Sequence, residues 1–210
     1  MKSSTHYLLL VDASGSMSDI RRETLESINA QVRSIRSLAQ EVPGQAIFVS
    51  LRFFNSESRE VYTGLHPDQA PTLDPDQYRP SGSTALLDAL GQCMQETSRR
   101  ITPFDDVVVV VVTDGEENAS QYYTTPQIAS RIGALKESGR WTFSFIGADF
   151  DSWSVARQLN VDRSEVRNYR KADINLAMED VCASMVDFIK EKDSGNRKRG
   201  FLKNNNEQKK

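Results

Sequence analysis

Residues 7–16, Tyr7-Leu8-Leu9-Leu10-Val11-Asp12-Ala13-Ser14-Gly15-Ser16, pass in one step from an unbroken apolar run to a cluster of oxygen-bearing side chains. A run that is apolar at every position, rather than at every second one, reads as a strand buried on both faces. Its exit carries Asp12, Ser14 and Ser16, donors of the kind that a hard cation takes. Two later segments fit the same picture: Thr113-Asp114-Gly115 follows the all-valine run Val107–Val112, and Ser81-Gly82-Ser83-Thr84 opens an apolar helical stretch. Three chain crossings are thereby set to converge on one ion.

The remaining chain alternates helix and strand signals. Ser18 or Asp19 reads as the cap of a helix reaching about Ala39, with Ile20, Leu25, Ile28, Val32, Ile35 and Leu38 at helical spacing. Pro43-Gly44 ends it. Ala46–Phe54 and Glu60–Tyr62 read as a strand pair around the polar turn 55–58, and the proline-bearing stretch 66–80 as a loop that delivers the chain to Thr84. A helix follows from Thr84 to about Ser98, with Leu86, Leu87, Leu90 and Met94 on its apolar stripe. The β-branched run 107–112 predicts a central strand. Pro126 opens a helix to about Glu137 that Gly139 closes, Trp141–Ile146 is a further strand, Ser152–Leu159 a short helix, and Val166–Tyr169 a weak strand. The last helix spans Ile174 to Lys192. This order predicts a doubly wound, mostly parallel α/β sheet flanked by helices, with ligands bound beyond the carboxyl ends of its strands. Asp12 and Asp114 both stand at such ends.

Composition sets the outer bounds. The length suits one domain over residues 1–192. From residue 193 to 210 the chain holds Arg197, Lys198, Arg199, Lys203, Lys209 and Lys210 with almost nothing apolar, and reads as a basic, disordered, solvated tail. A formal net charge of -3 argues against a protein built chiefly to hold nucleic acid. No segment approaches a membrane span and no secretory signal is visible, so the expectation is a cytoplasmic protein. Cys93 and Cys182 lack metal or redox spacing and read as small core residues, with nothing in the sequence to pair them.

Taken in order, Asp12-x-Ser14-x-Ser16, then Thr84, then Asp114 resemble the metal-ion-dependent adhesion site of the von Willebrand factor type A domain, and the likeness runs from Tyr7 to about Lys192. It implies a Rossmann-like fold of that type. An all-oxygen set suits Mg2+, with Mn2+ or Ca2+ as alternatives, whereas zinc favours His or Cys. Ser14 and Ser16 are expected as direct ligands. The resemblance implies that Thr84 binds directly when a ligand is present, and that Asp12 and Asp114 act mostly through water or the serines. An ion so held keeps most of its charge and takes an acidic Glu or Asp from a partner protein. The implied function is metal-bridged protein recognition without turnover.

A chain this poor in cysteine is similar to the stand-alone, intracellular prokaryotic branch of that family. Its members act as adaptors beside AAA-type ATPases, kinases or phosphatases, so a partner of that kind is expected. The resemblance also implies a coupling between the site and the last helix. Two other readings stand beside this one. A phosphatase of the haloacid dehalogenase type needs a second Asp two residues after the first, where this chain has Ser14. A metal-independent scaffold needs none of these side chains. Hydrolase and nucleotide motifs are absent from the sequence. Gly15, Gly82 and Gly115 read as turn glycines, Glu116 and Glu117 as a solvated acidic loop, Asp149 as a cap of the following helix, and His6 and His66 as structural or surface residues.

Overall fold

The computed structural model describes residues 4–148, 152–196 and 200–202. Strand β1 (Ser4–Asp12) is followed by a 3-10 turn (Gly15–Ile20) and helix α1 (Arg21–Glu41). Strands β2 (Ala46–Phe54) and β3 (Ser58–Leu65) form an antiparallel pair. Helix α2 (Leu86–Ser98), strand β4 (Asp106–Thr113), helix α3 (Thr125–Glu137) and strand β5 (Trp141–Ala148) come next. Helix α4 (Ser152–Gln158), strand β6 (Val166–Tyr169) and helix α5 (Ile174–Asp193) complete the order.

The strands form one six-stranded sheet in the order β3-β2-β1-β4-β5-β6, parallel throughout except for β3 at one edge. Alternation of side chains explains why β1 and β4 are apolar at every position. Tyr7, Leu9, Val11, Val108, Val110 and Val112 face α1 and α5, while Leu8, Leu10, Val107, Val109 and Val111 face α2, α3 and α4. The helices therefore cover both faces, as the alternating pattern predicts. Cys93 on α2 and Cys182 on α5 lie on opposite sides of the sheet, and both are free thiols.

The sheet has a switch point. From β1 the chain steps to β2 on one side and later returns to β4 on the other, so the carboxyl ends of β1 and β4 border a crevice that no crossover connection covers. Register brings the two ends level, with Val11 opposite Val112.

Two local expectations change. Ser18 does not cap α1; a 3-10 turn precedes that helix, and the Ser18 hydroxyl donates back to the Gly15 carbonyl at 2.7 Å. The stretch 66–80 is a loop with two short 3-10 turns, as expected, and its Ala70, Leu73 and Tyr78 are buried in the core on the α1 side. The tail read as wholly disordered and solvated is corrected at Phe201 and Leu202, which are buried in that same core, with the Phe201 ring edge-on to Phe188 at 6.2 Å. Two apolar residues in a polar segment carry no period, and so no sequence signal marks them. Asp149 lies outside the described residues.

Candidate functional site

Asp12 is the last residue of β1 and is fully buried. One carboxylate oxygen accepts the Ser14 amide at 2.7 Å, folding the chain into a tight turn, and the other accepts the Thr113 hydroxyl from the end of β4 at 2.6 Å. These bonds join the first and third loops. Burial raises the Asp12 pKa from its ordinary value, opposed by the hydrogen bonds from Thr113 and Ser14.

The turn places Ser14 and Ser16 side by side, their hydroxyl oxygens 3.0 Å apart. The Ser16 hydroxyl donates to Asp114 Oδ1 at 2.6 Å. Its single proton is thereby committed, so across the 3.0 Å contact Ser14 is the donor, and a chain Ser14 to Ser16 to Asp114 results. The lone pairs of Ser14 are left for another group.

Thr84 comes from the second loop, and backbone bonds set its height. The Gly15 amide donates to the Gly82 carbonyl at 3.0 Å, and the Ser81 amide donates to the Ala13 carbonyl at 2.7 Å. Of the three turn glycines, only Gly82 has a left-handed φ, +75°, and a β-carbon there would sit 2.8 Å from Ser56 Oγ. Gly115 needs no such freedom, but it marks where the hydroxyls meet: a β-carbon on it would lie 3.6 Å from Thr84 Oγ1 and 3.8 Å from Ser16 Oγ. The structure thus brings Asp12, Ser14, Ser16 and Asp114 together through hydrogen bonds and sets Thr84 beside them.

Supporting residues that the sequence did not reveal surround this set. Tyr78 donates its hydroxyl to the Asp12 carbonyl at 2.6 Å, and burial, then the charges of Asp12 and Asp114, push its pKa well up. Asn118 clasps Thr84, accepting its amide at 2.8 Å and donating its own amide to the Thr84 carbonyl at 3.0 Å. Glu117, expected in a solvated acidic loop, is half-buried and accepts the amides of Leu87, Ala119 and Ser120, capping the start of α2. Lys171, in the turn between β6 and α5, reaches Asp114 Oδ2 at 2.6 Å and donates to the Ser16 carbonyl at 2.9 Å. Each of these depends on tertiary proximity, and no local pattern around Tyr78, Asn118 or Lys171 announces it.

The chemistry on offer is that of hard oxygens. Three hydroxyls, Ser14, Ser16 and Thr84, stand with two carboxylates, while no group of three or more His, Cys, Asp or Glu able to hold a metal occurs among the described residues. Asp114 Oδ2 is buried and makes no aligned hydrogen bond, so its contact with Lys171 is an ion pair alone. An oxygen anion in that condition suits a cation.

No protein-family model matches the chain, and no curated protein matches it. Solved structures do. Proximal thread matrix protein 1 from the mussel byssus, in a form described as having a zinc occupied MIDAS motif, aligns at 14% identity and a TM-score of 0.57, over 88% of this chain and 46% of that one. Manganese-loaded TRAP protein from Plasmodium vivax aligns at 19% identity and a TM-score of 0.56, over 84% of this chain and 72% of the other. The von Willebrand factor type A protein from Catenulispora acidiphila aligns at 20% identity and a TM-score of 0.56, over 88% of this chain and 43% of that one. This chain therefore spans less than half the length of the mussel and Catenulispora proteins. Strand order, parallel pairing and these alignments together establish that the chain has the α/β fold of the von Willebrand factor type A domain.

Proposed function

We propose that the protein is a metal-dependent protein-binding module, in which Ser14, Ser16 and Thr84 hold a divalent cation and Asp12 and Asp114 support it through hydrogen bonds or water. The observation that carries this reading is the prior engagement of both carboxylates: Asp12 accepts from Ser14 and Thr113, and Asp114 accepts from Ser16. With both Asp12 oxygens and Asp114 Oδ1 so occupied, the hydroxyls are left as the direct donors and Asp114 Oδ2 faces the site as a supporting charge, and neutral donors leave the ion most of its charge. Such an ion attracts an anionic oxygen, which a Glu or Asp on a partner protein supplies. Magnesium is the favoured ion on this donor set, with manganese or calcium as substitutes.

The zinc named at the MIDAS motif of the mussel protein and the manganese named for the Plasmodium protein support a divalent cation for this chain. The finer identity of the partner, an AAA-type ATPase, kinase or phosphatase, rests on resemblance to stand-alone prokaryotic members. The reading assigns binding rather than turnover.

Titration calorimetry of metal-stripped protein with magnesium, manganese and calcium tests it, run beside Ser14→Ala combined with Ser16→Ala. Saturable one-site binding in the wild type, lost in the double variant, is the expected result. Binding that survives the double variant defeats the assignment. Recovery of a partner in magnesium but not in chelator then tests the bridging step.

A further inference from the structure

Lys171 stands out among the charged side chains because of what it touches. Its ammonium lies 2.6 Å from Asp114 Oδ2 and donates to the Ser16 carbonyl at 2.9 Å. The Asp114 side chain is fully buried, whereas that of Lys171 is 26% exposed. Most ion pairs on a protein surface join two solvated groups and carry little energy. Here the carboxylate is desolvated, its other oxygen is committed to Ser16, and the oxygen facing Lys171 makes no aligned hydrogen bond. The ammonium therefore meets a charge that water does not reach.

We infer that Lys171 is a built-in counter-ion that competes with the divalent cation for Asp114 and so lowers the affinity of the site for metal; this rests on the assignment of Ser14, Ser16 and Thr84 as metal ligands. Like charges within a few ångströms disfavour each other, more strongly where solvent is scarce. Two contacts of Lys171 fall on the oxygen set itself, one on Asp114 and one on the backbone of Ser16. Entry of a divalent ion therefore requires the ammonium to withdraw. Its partial exposure gives it a path into solvent. The position in the turn Lys171–Asp173 ahead of α5 places this competitor on a segment separate from the three loops that supply the ligands.

The test is calorimetric titration of manganese into metal-stripped wild type, Lys171→Met and Lys171→Arg. Methionine keeps the apolar stem and removes the charge; arginine keeps the charge. Lys171→Gln serves in place of the methionine variant if that one does not fold. The expected result is binding about tenfold tighter, equivalent to about 1.4 kcal/mol, in Lys171→Met, with Lys171→Arg near wild type. The gap should narrow as ionic strength rises, because salt screens the repulsion. In chelator Lys171→Met should melt below wild type, and manganese should close that difference. Equal or weaker affinity in Lys171→Met, or equal tightening in the arginine variant, overturns the inference while leaving the metal site standing. No saturable binding in any of the proteins removes the site assignment and this inference together.

Discussion

Asp12 illustrates how a single residue can hold three loops at once: its side chain fixes the Ser14 amide and the Thr113 hydroxyl, and its own carbonyl accepts Tyr78. The arrangement separates ligation from architecture. Ser14→Ala removes a hydroxyl yet leaves the amide that Asp12 holds, which makes it a gentler probe than any change at Asp12. Tyr78→Phe does the reverse, sparing every proposed ligand while leaving the Asp12 carbonyl without its phenolic donor. A loss of about 1 kcal/mol in unfolding free energy is expected from urea titration, the usual net worth of one buried hydrogen bond. No loss at all means that water replaces the phenol. At this scale the proximity of Asp12, Ser14, Ser16, Thr84 and Asp114 was legible, because each lies just after a strand signal or just before a helix. It was silent on Tyr78 and Lys171, whose neighbours carry no period and whose partners lie far away in the chain.

Among the elements, the strands were the most readable, since burial on both faces forces β1 and β4 to be apolar throughout. The segment after α5 was the least readable. Gly200 takes a φ of +96°, and the amides of Phe201 and Leu202 then donate to Glu165 at 2.6 and 3.3 Å. Ser144 on β5 donates to the same carboxylate at 2.5 Å. Backbone amides and one glycine do this work, so side-chain patterns could not reveal it. Phe201→Ala is expected to cost about 3 kcal/mol by denaturant titration, as for other fully buried phenylalanines. A cost near zero shows that the segment does not dock in solution.

Glu165 adds a pH signature to the same contact. Burial raises its pKa from 4.5, against the hydrogen bonds from Ser144, Phe201 and Leu202 and the charge of Arg167. A carboxyl whose folded pKa exceeds its unfolded value stabilises fully below the unfolded value, and that contribution is lost as pH rises through the folded one. Relative to Glu165→Gln, the wild type should therefore gain stability as pH falls from neutral towards the ordinary carboxyl range. Thermal melts at a series of pH values check this, and a shift in the opposite direction contradicts the burial of the carboxylate.

Over the whole molecule, strands alternating with helices predict the fold class, but the order of strands was not readable. Any arrangement that buries both faces of β1 and β4 satisfies the same apolar runs, and only crossovers choose among them. The observed order puts β1 and β4 at the centre and β3 and β6 at the edges. Native-state hydrogen exchange should accordingly be slowest at the amides of Val108 to Val112 and faster in β3 and β6. Edge amides as slow as the central ones argue against this order.

That order also matters while the chain is being made. Of the six strands of the sheet, β1 leaves the ribosome first, yet it ends in the middle of the sheet. Its edge towards β2 closes once Ala46–Phe54 has emerged, but the opposite edge waits for Asp106–Thr113. In the interval the nascent chain carries an apolar strand with an open row of backbone donors and acceptors, the feature that promotes pairing between chains. Chaperone occupancy on translating ribosomes should rise after β2 appears and fall when β4 clears the exit tunnel.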